Sequence, residues 1–151
     1  MIRTLTFLVS LCLPAFAAAG ERVAGTNSYV IHQQNWHAGD TTYWRQDNAG
    51  TFDVTMGPLT PGYVRCIGAG FGSASGVTGE GICIFGKDDD TFTWRWKAHR
   101  DGPNTWEVID ATGKYRGMTG DGRAITRVES EKLKIQHRVT DWEGEINLPK
   151  R

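Results

Sequence analysis

Residues 92–98 read Phe-Thr-Trp-Arg-Trp-Lys-Ala, so that Phe92, Trp94, Trp96 and Ala98 alternate with Thr93, Arg95 and Lys97. A period of two describes a pleated strand with one face toward a core and one toward water; an amphipathic helix repeats about every 3.6 residues instead. The same alternation recurs at 51–56, with Phe52, Val54 and Met56 on one face. It recurs again at 133–139, with Leu133, Ile135, His137 and Val139 set against Lys134, Gln136 and Arg138. Weaker strand candidates lie at 29–36, 42–46, 63–71, 80–85, 105–109, 123–128 and 142–148. Turn signals at Asp47-Asn48-Ala49-Gly50, Asp101-Gly102-Pro103-Asn104 and Gly120-Asp121-Gly122 separate some of them. With 19 glycines in 151 residues, long helices are disfavoured. Short strands at this spacing predict an all-β chain, a sandwich or an up-and-down barrel. A single antiparallel β-barrel of about eight strands is favoured because closure removes exposed edges.

The first residues stand apart from this pattern. Met1, Ile2 and Arg3 form a short positive segment, residues 5–13 an apolar one, and Ala15, Ala17, Ala18 and Ala19 offer small residues for cleavage. This reads as a secretory signal peptide at 1–19, followed by one barrel domain at 20–151. The apolar run falls well short of the roughly 20 residues that span a bilayer, so no membrane span is expected and the mature chain is expected in the periplasm or secreted. Lys and Arg together number 17 and Asp and Glu 17, a balance that lacks the basic footprint of a nucleic-acid binder.

Removing the signal removes Cys12 and leaves Cys66 and Cys83. They lie in two strand-like segments around a Gly/Ser stretch at 72–76, and a hairpin centred between Ala74 and Ser75 sets them directly opposite each other. In an oxidising compartment such a pair reads as a disulfide rather than a catalytic thiol or metal ligand. Asp88, Asp89 and Asp90 lack the length of a calcium loop and read as a solvated turn. His32, His37, His99 and His137 show no zinc spacing. No metal and no cofactor are expected. Gly113, Gly117, Gly120 and Gly122 could suggest a phosphate loop, but a strand-like segment follows where a helix would be needed, so they read as tight turns or bulges.

Three segments in order carry a family resemblance: Gly79-Glu80-Gly81-Ile82-Cys83, then Asp88-Asp89-Asp90 before an aromatic strand, then Thr112-Gly113-Lys114-Tyr115-Arg116-Gly117-Met118-Thr119-Gly120. Together they resemble small secreted bacterial proteins of the allene oxide cyclase barrel-like group, of which plant dirigent proteins are distant structural relatives. The resemblance covers about residues 63–128. It implies an eight-stranded antiparallel barrel with an apolar cavity, and an assembly into homo-oligomers is compatible with it. No position here matches the cyclase or dirigent active-site patterns, so no catalytic residue carries over.

Candidate site residues follow from the strand faces. Trp94 and Trp96, with Phe92, form an aromatic stripe suited to a flat apolar ligand, or to ordinary filling of a narrow barrel. The scattered Trp36, Trp44, Trp106 and Trp142 fit either. His137, flanked by Ile135 and Val139, offers an acid or base if its face lines a cavity, or is a satisfied core histidine. Tyr63 and Arg65 share a face with Ile67; Asp53 and Glu107 are further candidates. The leading expectation is a barrel that binds a small apolar or aromatic molecule, with Phe92, Trp94, Trp96, Tyr63 and His137 around it. The alternatives are a cofactor-free cyclase or isomerase using His137 or Arg65, and a packed structural barrel in an oligomer.

Overall fold

Alternation along the strands is resolved by the computed structural model, which describes residues 20–128 and 137–149. Nine antiparallel strands are formed among these residues: β1 (Glu21–Val30), β2 (Gln33–Ala38), β3 (Thr41–Met56), β4 (Gly62–Ser73), β5 (Gly76–Lys87), β6 (Asp90–Ala98), β7 (Asn104–Ala111), β8 (Thr119–Val128) and β9 (His137–Asn147). Neighbours in sequence pair with one another from β2 through β9, β9 pairs with β1, and β1 pairs back onto β3. Eight strands therefore close a barrel, and β2 stands outside the ring as a hairpin partner of β3. Closure gives every strand of the ring two partners, which is what removes the open edges. The predicted signal segment at 1–19, and Leu133 and Ile135 of the predicted face at 133–139, lie outside the described residues.

Three local expectations are corrected. The Asp47-Asn48-Ala49-Gly50 signal is no turn: β3 runs through it, with Asn48 fully buried on the inner face. Gly50 is there because β1 passes close, and a Cβ on it would stand 2.7 Å from Cβ of Tyr29. Gly120-Asp121-Gly122 likewise lies within β8. The segment at 29–36 is two strands, β1 and β2, broken at Ile31 and His32.

The two ends of the barrel differ. At one end Phe52, Phe85 and Phe92 fill the interior, with Phe85 and Phe92 stacked at 4.9 Å and Phe52 edge-on to Phe85 at 5.2 Å. Val23, Ile146 and Leu59 pack against them. A short 3-10 turn, Gly113–Tyr115, lays the Tyr115 ring edge-on against Phe92 at 5.3 Å, and the Tyr115 hydroxyl accepts the Thr60 amide at 2.9 Å. Asp90 at the start of β6 accepts the Lys114 amide at 2.8 Å, and Gly113, with φ of 53°, sits where a Cβ would strike that carboxylate. The acidic turn and the glycine turn thus form one latch that closes this end.

Candidate functional site

Toward the other end the interior is lined by tryptophans lying flat on glycines. Gly68 pairs with Gly81 and Gly70 with Gly79 across β4 and β5. A Cβ on Gly81 would stand 2.7 Å from Cζ2 of Trp96, and one on Gly70 would stand 2.6 Å from Cζ2 of Trp44. Trp106 covers Gly122 and Gly144 in the same way, and Trp142 covers Gly25. An indole seated against bare backbone occupies the wall instead of the middle, so inward glycines at a period of two make room at the barrel axis.

The space so left is a cavity of about 450 Å³, within the range of small-molecule sites. Five tryptophans line it: Trp44, Trp94, Trp96, Trp106 and Trp142. Trp94 separates it from the filled end, tilted against Phe85 at 4.2 Å on one side and stacked on Trp106 at 4.1 Å on the other. The Cys66–Cys83 disulfide, between directly opposed residues with Cα atoms 4.0 Å apart, is buried beside it. His99 and Arg100 lie just past the end of β6, at its mouth.

Polar groups gather on the wall formed by β1, β3, β8 and β9. Arg138 donates from Nη1 to Oε1 of Gln46 at 2.7 Å. The Tyr29 hydroxyl meets the Thr140 hydroxyl at 2.8 Å, and Thr140 meets Thr126 at 3.0 Å. The Trp142 indole donates to Asn27 at 2.9 Å. Burial raises the Tyr29 phenol above its ordinary pKa, against the Thr140 hydrogen bond and the Arg138 charge, which lower it. Burial also pulls the Arg138 guanidinium below its ordinary value, partly offset by its attraction to Tyr29. Four buried donors around the cavity have no hydrogen-bond partner among the described residues: Nε1 of Trp44, Trp94 and Trp96, and Nε of Arg138. No Asp or Glu lines the cavity among the described residues.

Of the residues expected from sequence, Trp94 and Trp96 line the cavity, and Phe92 lies below it in the filled end. Tyr63 is 72% exposed on the outer face. Arg65 is also outside, bound to Asp47 through Nη2 at 2.6 Å, because Val64 and Cys66 of the opposite parity point inward. His137 is an outer-face residue whose Nε2 meets the Ser28 hydroxyl at 2.9 Å, since Thr140, Trp142 and Ile146 fix the inner parity of β9 and place Arg138 inside. Asp53 is exposed and Glu107 pairs with Arg95 on the outside. Sequence reasoning missed Tyr29, Gln46, Arg138 and Thr140. The signal that could have found Arg138 is its even spacing from Trp142 and Ile146.

Among the described residues no group of three or more His, Cys, Asp or Glu is placed to hold a metal ion, and no helix is long and apolar enough to cross a membrane. No protein-family model and no curated protein matches the chain. Among solved structures it is similar to a pterocarpan synthase dirigent protein, with a TM-score of 0.51 at 13% identity over 95% of this chain and all of that one. At that identity the likeness shows a dirigent-like barrel fold.

Proposed function

We propose that this barrel binds a small, flat aromatic or apolar molecule in the cavity at its open end. The observation that carries the reading is the cavity of about 450 Å³ lined by five tryptophans, with polar groups on one wall to orient a guest. A purely structural barrel would fill that space as Phe52, Phe85 and Phe92 fill the other end. The disulfide fits an oxidising compartment, and with the signal-like residues 1–19 it supports a periplasmic or secreted protein with its barrel in 20–151. Self-association fits the outer aromatic ladder of Trp36, Tyr43 and Phe71, with ring centroids 5.5 Å apart at each step, beside the outlying strand β2.

A second reading, a cofactor-free cyclase or isomerase as the allene oxide cyclase resemblance implies, is favoured by one observation. Tyr29 and Arg138 converge on the cavity, each shifted from its ordinary pKa. A neutral phenol and a guanidinium are a proton donor and a stabiliser of developing negative charge.

Calorimetric titration with 2-naphthol tests the binding reading. Saturable one-to-one binding is expected in the parent protein, with loss in Ala98→Phe, where a ring would occupy the mouth beside Trp96. Absence of binding in the parent, or equal binding in Ala98→Phe, contradicts it.

A further inference from the structure

The charge balance of the cavity wall says more about the guest than its shape does. Arg138 is half-buried with one neutral partner, Gln46, and its Nε donor, itself shut off from solvent, is unpartnered among the described residues. A second arginine, Arg100, stands at the mouth, and no described residue lining the cavity is acidic. The arrangement on the outer surface is the reverse: Arg65, Arg95, Arg123 and Arg127 each hold a carboxylate, Asp47, Glu107, Glu143 and Asp141 respectively. These four outer arginines are thus paired with acids across strands, whereas the inward Arg138 is paired with an amide.

The remaining polar atoms point the same way. Among the described residues that line the cavity, the buried and unpartnered side-chain atoms are donors, the three indole N–H groups of Trp44, Trp94 and Trp96 and Nε of Arg138. Buried donors require acceptors, and a guanidinium presents two N–H groups in a fork that matches the two oxygens of a carboxylate.

We infer that the guest is an anion, a flat aromatic carboxylic acid whose ring lies among the tryptophans and whose carboxylate meets Arg138. This rests on the binding reading above and names its ligand class. Aromatic rings without a charged group would use the same walls but leave the guanidinium with Gln46 alone.

The test compares 2-naphthoate with 2-naphthamide by calorimetry at pH 7.5, a pair alike in shape and unlike in charge. The parent protein is expected to bind the acid at least about tenfold more tightly, the margin of a charge-assisted hydrogen bond over a neutral one. Arg138→Gln is expected to erase that preference, bringing the acid's affinity to that of the amide within about twofold. Arg65→Gln, which removes an outer arginine, is expected to leave the preference intact. Should Arg138→Gln fail to fold, the parent comparison decides alone, with a preference that shrinks as salt rises. Equal affinity for both molecules, or a preference for the amide, overturns the inference and leaves the binding reading standing. A preference that survives Arg138→Gln also overturns it. Failure of both molecules to bind overturns the inference together with the reading.

Discussion

The indole of Trp96 lies against Gly81, so close that a single added carbon at position 81 would stand 2.7 Å from Cζ2 of the ring and closer still to the Ile67 carbonyl oxygen. Backbone and ring exclude that carbon from both sides. Gly81→Ala should therefore cost about 1–3 kcal/mol by overpacking and push Trp96 into the cavity. Gly72 on the neighbouring strand is the contrast, since an added carbon there meets Val77 at 3.8 Å, an ordinary contact. Gly72→Ala should leave stability unchanged or raise it by up to about 1 kcal/mol through the unfolded chain. Urea melts of the two variants check both signs, and a destabilised Gly72→Ala beside an unaffected Gly81→Ala contradicts the packing account.

The disulfide spans a sequence separation of 17 and sits in the core. In the chain-entropy model a loop of this size is worth about 3 kcal/mol. The double variant Cys66→Ala, Cys83→Ala, and the parent protein under reductant, are expected to lose stability by that order in matched melts. A loss well under about 1 kcal/mol would show that the β4–β5 hairpin is held by its pairing alone.

Tyr29 supplies a pH dependence. Its phenol is raised above the ordinary value, so the fold favours the neutral form. That contribution is complete below the unfolded value of about 10 and disappears as pH rises through the folded value. Stability of the parent protein should fall as pH climbs past about 10, and Tyr29→Phe should fall less steeply. At neutral pH the same variant should be weaker by about 1 kcal/mol, because the Thr140 hydroxyl loses its partner. Urea midpoints across the alkaline range measure both effects.

His137 and Tyr63 face away from the cavity. His137→Ala and Tyr63→Ala should each leave the 2-naphthol affinity within about twofold, a change under about 0.5 kcal/mol. A larger loss from either, by calorimetry, would mean that the outer face contributes to the site.

How much of this was legible depends on which side of the wall is asked about. The latch at the filled end is written in local motifs, because Asp90, Gly113, Lys114 and Tyr115 meet within one turn-and-strand junction, and these are among the residues that carried the family resemblance. They close the end away from the cavity, whereas Gly79, Gly81 and Cys83, which also carried the resemblance, stand at the cavity wall as backbone seats for tryptophans and half of a disulfide. The hairpin geometry of Cys66 and Cys83 was equally legible from symmetry about Ala74 and Ser75.

Inside and outside were not. On β4 the inner face reads Val64, Cys66, Gly68, Gly70, and the outer face reads Tyr63, Arg65, Ile67, Ala69, Phe71. The outer set is the more aromatic of the two, because the inner glycines are covered by tryptophans from β3 and β6. Apolarity along one strand then points the wrong way, and only the pairing of strands reveals which rings fill which gaps. On β9 the same ambiguity favoured His137 over Arg138 until Trp142 and Ile146 set the parity. Asn48 and Gly50 mimicked a turn because a buried amide and a close approach of β1 use the same residues that turns use.

The most direct measurement of the central claim is a crystal structure of the oxidised protein grown with 2-naphthol. The naphthalene ring is expected inside the barrel, in contact with Trp94 and Trp96 and with its oxygen toward the wall that carries Tyr29 and Arg138. A ring found only on the outer ladder of Trp36, Tyr43 and Phe71, or a barrel whose open end is filled by its own side chains, would contradict it.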